Sequence, residues 1–474
     1  MNKLSRKTTV ATRLPIKILQ YGEGNFLRGF VDWFVDSLNE KTDYQAGVAV
    51  IQPINHGMVE MITAQDGLFH HMIQGIESGE LVDEARLNNC IQKAINPFTD
   101  PSSYYALASS SDLKLIFSNT TETGIVFDEN DKLGDTLAIT FPGKLVQFLK
   151  KRFESLGNAP DSEIGVVPCE LVESNGDELK KCVQQYADLW QLDSEFKKWI
   201  VTNVHFANTL VDRIVPGYPK DEIDVITERI GFDDNLVVKS ESFHLFVIEG
   251  DEFIQTHFPA HKHGFNVKYV ESITPYRTQK VRILNGAHTS MMPVGLLSGI
   301  ETVKETVEDD QVGNFVQKAI FEEIVKTIDI PCEDPAVFAD QVLARFKNPF
   351  IRHELISISL NSVSKWKVRV LPTVLDYLAK NGELPKRLTF SLACLIKLYL
   401  SDNFQLKDDE SILSFFAGMK SSTDADLIVK STLSNVDFWG QDLSKVSGMS
   451  DLVMTYFKAI SSSSVRATLD TLSV

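Results

Sequence analysis

Residues 16–30 read IKILQYGEGNFLRGF, an apolar run of strand type followed by two glycines one residue apart and a helical pattern from about Asn25. Gly22 and Gly24 stand where a strand-to-helix turn needs tight backbone geometry and close approach to a pyrophosphate. The N–H groups that open the helix, at Asn25 and Phe26, point at such an anion. The usual third glycine is replaced by Leu27, and the next, Gly29, comes two residues late. A lone Gly-x-Gly also marks an ordinary tight turn, so its weight depends on the pattern of the chain beyond it.

That pattern is a regular alternation. Strand-like runs VAVIQ (48–52), LKLIFS (113–118), IGVVP (164–168) and VTNVHF (201–206) alternate with helical segments, as parallel βαβ units do. In NGDELKKCVQQYADLW, Leu179, Cys182, Val183, Tyr186, Ala187 and Trp190 recur at helical spacing, one buried stripe for packing on a sheet. From about Ile273 the pattern changes to long helical segments without clear strands. DPAVFADQVLARF opens with Asp334 as an N-cap and Pro335 at the first helical position. The most apolar window, LTFSLACLIKLYL (388–400), carries Lys397 and is too short to span a bilayer. The expected fold class is α/β: a doubly wound, Rossmann-type domain over residues 1–272, then a mainly α-helical domain over 273–474, with the active site in the cleft between them. The serine-rich end, SSSSVRATLDTLSV, is either a docking helix or a fraying tail.

Bulk properties narrow the partners. A chain of 474 residues with 43% hydrophobic composition has ample core for two domains. Its 64 acidic against 47 basic residues leave a formal charge of -17, which repels nucleic acid and anionic membranes. Cys90, Cys169, Cys182, Cys332 and Cys394 are scattered with no CxxC pair, as in a reduced, cytoplasmic chain. The basic N-terminus has only a short apolar run, broken by Pro15 and Lys17, so no secretion signal is expected. His257, His261 and His263 in HFPAHKHGF lack a metal-ligand spacing and read as a polar loop.

Two further strand exits bear on a nucleotide. The second ends at Gln52 where an acid would hold the ribose; glutamine can still bond a hydroxyl, and no arginine there welcomes a 2′-phosphate, which favours NAD over NADP. The fourth exit, IFSNTTETG, offers Asn119, Thr120 and Thr121 to a nicotinamide ribose, or forms an Asx or Ser/Thr turn.

In KVRILNGAH (280–288), Lys280, Asn285 and His288 share one side of a helix at 100° per residue. Reducing a carbonyl by hydride transfer requires an acid for the new alkoxide and donors for the developing charge. Lys280 suits the acid, since burial moves a lysine down from its ordinary value near 10.4. Asn285 suits the oxyanion, and His288 orients the substrate or lends a second donor. Spacing alone also allows a surface lysine, a turn-forming asparagine and a core histidine.

The K-x4-N-x2-H pattern after a nucleotide-binding half resembles the signature of the polyol-specific long-chain dehydrogenases, the mannitol dehydrogenase family. The resemblance runs over nearly the whole chain: GEGNFLRGFVDW, SNTTETG, FPGKL, PCELVESNG, ANTLVDRIVP, LNGAHTSMMPVG and NPFIRHELISISLNSVSKWKVRVLP match it in order. It implies a zinc-independent, NAD-linked enzyme in which Lys280, Asn285 and His288 are catalytic, Asn208 completes the oxyanion pocket, and Glu241 falls near a substrate-contacting acid. These segments look most like the branch acting on keto sugar acids, which implies interconversion of tagaturonate and altronate in hexuronate breakdown. Where mannitol-specific members carry an arginine this chain has Ser357, and the lysine is kept as Lys365. Lys365 and Arg369 lie on one face if KWKVR is helical, either meeting an anionic substrate or forming a solvated basic face. Fructuronate or a sugar-alcohol phosphate are rival substrates, and an inactive nucleotide sensor is the rival of another class.

Overall fold

The structure, a computed structural model, describes residues 2–77, 79–121, 123–134, 136–330 and 333–472. It divides into two compact units, Met1–Ile273 and Thr274–Val474.

The first unit is built on a six-stranded, wholly parallel sheet: β1 (Ile16–Tyr21), β2 (Gly47–Ile51), β3 (Ile91–Ile95), β4 (Leu115–Ser118), β5 (Ile164–Pro168) and β6 (Val204–Phe206), in the spatial order β3-β2-β1-β4-β5-β6. The near-continuous apolar runs arise from this architecture, because a parallel sheet is covered on both faces. Alternate residues part company accordingly. Ile18, Val48, Val50, Leu115 and Phe117 enter one core with Phe30, Trp33 and Phe34. Leu19, Tyr21, Ala49, Ile51 and Ile116 enter the other, beneath helices Phe141–Leu156 and Asn175–Leu189.

One expectation needed revision. In VTNVHF only Val204–Phe206 is strand; Val201, Thr202 and Asn203 finish helix Ser194–Asn203, whose N-cap is the Asp193 carboxylate. The helix opening at Asn25 is short: α1 (Asn25–Gly29) stops at Phe30, and α2 (Val31–Lys41) restarts from there. The unit also holds an antiparallel hairpin, Phe69–Glu77 with Glu80–Asn88, extended by Val238–Ser240, a three-stranded sheet of Asn208–Asp212, Leu245–Glu249 and Val267–Tyr269, and a parallel pair, Asn2–Lys3 with Phe232–Asp233.

Among its described residues the second unit forms helices and a single isolated bridge, Thr302 to Glu354. Its axis is α4 (Gly286–Leu297), buried from Gly286 through Leu296, preceded by α3 (Thr274–Lys280) and a π-helical turn, Val281–Asn285. Against α4 pack α5 (Ser362–Arg369) and α6 (Lys386–Tyr399), the latter being the apolar window around Lys397. Pro385 gives α6 no side-chain cap; instead the buried Glu323 carboxylate accepts the Arg387 and Leu388 N–H groups at 2.8 and 2.9 Å, satisfying orphan donors of the first turn. The C-terminal segment docks as helix Val465–Leu472, with Val465 and Leu469 buried and Arg466 paired to Asp309 at 2.9 Å.

Cys90, Cys169, Cys182 and Cys394 are buried free thiols, and Cys332 lies outside the described residues. Among the described residues no helix is long and apolar enough to cross a membrane, and no cluster of His, Cys, Asp or Glu could hold a metal ion.

Candidate functional site

The strand order reverses between β1 and β4, and ligands of such sheets bind beyond the strand ends at that switch point. The exits of β1, β2 and β4 are adjacent there. Gly22 N–H donates to the Ile51 carbonyl at 3.0 Å and Asn119 N–H to the Tyr21 carbonyl at 3.0 Å. Gly22 has a φ of +119°, and a Cβ on it would stand 2.9 Å from the Asn119 carbonyl oxygen, so both conformation and space require glycine.

Gly24 is different. Its φ of -67° suits any residue, and a Cβ there would meet nothing within 4 Å. Nothing in the chain demands a glycine at the opening of α1, so the open cradle fits a ligand backed closely against the main chain. The packing role of the third glycine falls to Gly29, where a Cβ would press on Val238 at 2.9 Å and Val215 at 3.0 Å. Asn25 accepts from the buried Arg28 guanidinium at 2.7 Å, and Phe26 stacks on Phe30.

Gln52, 3% exposed, donates its amide to the Ile54 carbonyl at 2.9 Å. Asn119 donates to the Cys169 carbonyl at 2.7 Å, while Thr120 donates both its backbone N–H and its hydroxyl to Glu170, each at 2.9 Å. Glu170 also accepts from Ser118 at 3.0 Å. Burial pushes its carboxyl up, against the pull of these donors. The spacing of PCELVESNG does not disclose this brace for the β4 exit; it needs β5 beside β4, which only the sheet order supplies.

Beneath the glycine turn lies another unanticipated pair. The Gln20 amide donates to the Gly22 carbonyl at 3.1 Å and to fully buried Asp32 at 3.4 Å. Gln20 Oε1 and Asp32 Oδ1 are both buried without a partner. Burial raises the Asp32 carboxyl to about 7, with the Gln20 amide and Arg28 opposing it. A protonated Asp32 would donate from Oδ1 to Gln20 Oε1 and satisfy both orphans as a cyclic acid–amide pair.

In the second unit, the trio sits where α3 passes through the π turn into α4. Gly286 N–H reaches back five residues to the Val281 carbonyl. A π turn widens the repeat from four residues to five, which brings Lys280 and Asn285 onto one strip; His288 lies three residues on, along α4. At a constant 100° per residue the first two would diverge by about 140°. Lys280 and Asn285 are half-buried and His288 is buried, its ring 4.4 Å from Phe346 and 4.9 Å from His353. Desolvation lowers the His353 imidazole, favouring its neutral form.

The basic helix lies alongside. A Cβ on Gly286 would stand 3.2 Å from the Arg369 carbonyl oxygen at the end of α5, so the glycine allows α5 close to Asn285. KWKVR is helical, and Lys365 donates to the Ile358 carbonyl at 3.1 Å. Desolvation, then repulsion from Arg369, lowers its ammonium against the attraction of Asp408.

Asn208 and Glu241 belong to the first unit and are braced within it. Both amide hydrogens of Asn208 are engaged, with Asp177 at 2.9 Å and Glu249 at 3.1 Å, and its oxygen accepts Asp177 N–H. An oxyanion would have to displace a carboxylate to use it. Glu241, 1% exposed, accepts Ile214 N–H at 2.6 Å, and its carbonyl accepts from Arg213, whose guanidinium lies over Trp33. His257, His261 and His263 lie at the end of helix Glu252–His257 and in the 3-10 turn Ala260–His263.

Residues 16–262 match the family described as the mannitol dehydrogenase Rossmann domain, and residues 272–461 match the mannitol dehydrogenase C-terminal domain. Among curated relatives, altronate oxidoreductase of Bacillus subtilis (strain 168) is 45% identical over 95% of this chain and 93% of its own. The altronate oxidoreductase of Yersinia enterocolitica is 42% identical, covering 98% and 99%. Among solved structures, a substrate-free D-sorbitol dehydrogenase superposes with a TM-score of 0.80 at 21% identity, over 98% of this chain and all of that one. A Pseudomonas fluorescens mannitol 2-dehydrogenase, in ternary complex with NAD and D-mannitol, gives 0.69 at 20% identity, covering 99% of each. With both halves matched and relatives above 40% identity across almost its whole length, the chain belongs to the mannitol dehydrogenase family.

Proposed function

We propose that this protein transfers hydride between NADH and the keto group of an acyclic hexuronate, with tagaturonate and altronate as the substrate pair. The observation that carries the reading is the strip of Lys280, Asn285 and His288 through the π turn, with the Lys365 and Arg369 helix packed beside it. Relatives named altronate oxidoreductase, 40 to 45% identical, support altronate as the alcohol of that pair.

The first unit holds the dinucleotide on this reading. Gly22 and Gly24 admit the pyrophosphate to the main chain at Asn25 and Phe26, Gln52 meets the adenosine ribose, and Asn119 and Thr120, braced by Glu170, line the nicotinamide ribose. When bound, the nicotinamide supplies the hydride.

The second unit serves the carbonyl. Lys280 Nζ gives a proton to the carbonyl oxygen as the carbon is reduced, and takes it back in the direction of oxidation. The Asn285 amide donates to the developing oxyanion without titrating. His288, held between Phe346 and His353, orients the substrate hydroxyl next to the reacting centre. Lys365, with Arg369 one turn on, supplies the local positive potential that an anionic substrate needs against a chain of formal charge -17. Asn208 and Glu241 act as braces of the first unit, which leaves Asn285 as the oxyanion donor.

Lys280→Met tests the assignment. Turnover falls by about three orders of magnitude or more, the upper part of what acid–base groups contribute, while NADH affinity measured by fluorescence stays within about twofold. Turnover equal to that of the parent would remove Lys280 from the mechanism.

A further inference from the structure

The second strand of this sheet lacks the acidic residue that usually holds an adenosine ribose, and Gln52 stands there instead. The structure brings a carboxylate to the same point from another direction. Glu23, between the two glycines of the β1 turn, is 8% exposed and reaches across to the β2 exit, where it accepts Met58 N–H at 3.3 Å. Gly57 reports the convergence: a Cβ there would fall 1.9 Å from Glu23 Oε1 and 2.7 Å from Gln52 Oε1.

Two acceptor oxygens therefore converge on one point. The Gln52 orientation is fixed by its amide donating to the Ile54 carbonyl, and no donor among the described residues serves its oxygen. Desolvation raises the Glu23 carboxyl, while Met58 N–H and the nearby Arg28 favour its ionised form. Met58 N–H takes one lone pair of Glu23 Oε1 and leaves the carboxylate further acceptor capacity beside Gln52 Oε1; two such acceptors suit a vicinal diol, which brings two O–H groups. They oppose a 2′-phosphate, which brings only acceptors and about two further negative charges. The loop beyond β2, QPINHGM, carries no lysine or arginine to offset them.

We propose that Glu23, acting with Gln52, is the residue by which this protein selects the unphosphorylated adenosine ribose of NAD(H) over that of NADP(H). The inference rests on the nucleotide reading of the first unit and assigns the acid of that site to the glycine turn.

The test is equilibrium binding of NADH and NADPH to the full chain without substrate, read by nucleotide fluorescence, for the parent, Glu23→Gln, and Glu23→Gln with Gln52→Glu. Glu23→Gln keeps the shape and removes the charge, so the ratio of the NADPH to the NADH dissociation constant should fall about tenfold or more, mainly through tighter NADPH. Returning a carboxylate at position 52 should restore the preference, which a purely structural role for Glu23 would not produce. An unchanged ratio in Glu23→Gln with NADH still bound, or equal weakening of both nucleotides, overturns the inference and leaves the nucleotide site standing. Binding of neither nucleotide by the parent overturns the nucleotide reading and this inference with it.

Discussion

Replacing Asp32 with asparagine should stabilise the protein, and by an amount that grows with pH. Asp32 is wholly buried, and burial holds its carboxyl at about 7 against an ordinary 3.8. Below about pH 4 the group is protonated whether the chain is folded or not. Between about 4 and 7 the unfolded chain releases this proton while the folded chain keeps it, so folding loses stability as pH rises. The shift from 3.8 to about 7, at about 1.4 kcal/mol per unit, amounts to about 4 kcal/mol by pH 8. Asparagine keeps the shape, cannot ionise, and can pair amide to amide with Gln20, serving both oxygens that the aspartate leaves unsatisfied. Urea unfolding of parent and Asp32→Asn at several pH values from 4 to 8 measures the difference directly, because titrations elsewhere cancel between the two. The variant should gain about 1 kcal/mol per pH unit across this range and level off above about 7. A difference independent of pH, or a variant less stable than the parent at pH 8, would refute a raised Asp32 carboxyl. The latter is what an ordinary carboxylate ion-paired with Arg28 would give.

Gly22→Ala should cost about 1–3 kcal/mol in backbone strain alone, since φ is +119°, before the approach to the Asn119 carbonyl is relieved; NADH affinity should fall too, and unaltered urea unfolding would contradict the geometry. Glu323→Ala leaves the Arg387 and Leu388 N–H groups without their acceptor and should destabilise the helical unit by about 1–3 kcal/mol, a loss under about 0.5 kcal/mol in urea unfolding counting against this cap. Lys365→Met should raise KM for a carboxylated ketose about tenfold or more with a smaller effect on kcat and little on a neutral ketose. An equal effect on both classes would make Lys365 a structural residue.

The sequence shows the sheet well for a physical reason. Its strands are buried on both faces, so Ile18, Leu19, Val48, Ala49, Val50 and Ile51 form unbroken apolar runs between helical stripes. The hairpin strand Phe69–Glu77 escapes notice because its apolar pattern is broken by His70, His71 and Gln74, which bond partners on other segments: Asp234, Ser240 and, across the hairpin, Asp83. VTNVHF misleads because β-branched Val201 and Thr202 close a helix before Val204 opens a strand. At the site, K-x4-N-x2-H and the resemblance it carries bring Lys280, Asn285 and His288 into view. A constant 100° per residue spreads them over about 140° of one side; the π turn that draws Lys280 and Asn285 onto one strip is not legible in that periodicity. Glu23 beside Gln52, Glu170 beneath Thr120, and Asp32 beneath Gln20 are invisible along the chain, because each pair forms only when separate strands or turns come together.

Hydride transfer to a hexuronate is tested by the loss of NADH absorbance on mixing the protein with tagaturonate, beside fructuronate, fructose and NADPH controls and with a chelator present. Fast oxidation of NADH with tagaturonate, unaffected by the chelator and slow with the neutral ketose, is the predicted result. No oxidation with any of these ketoses, by a protein that still binds NADH, would contradict it.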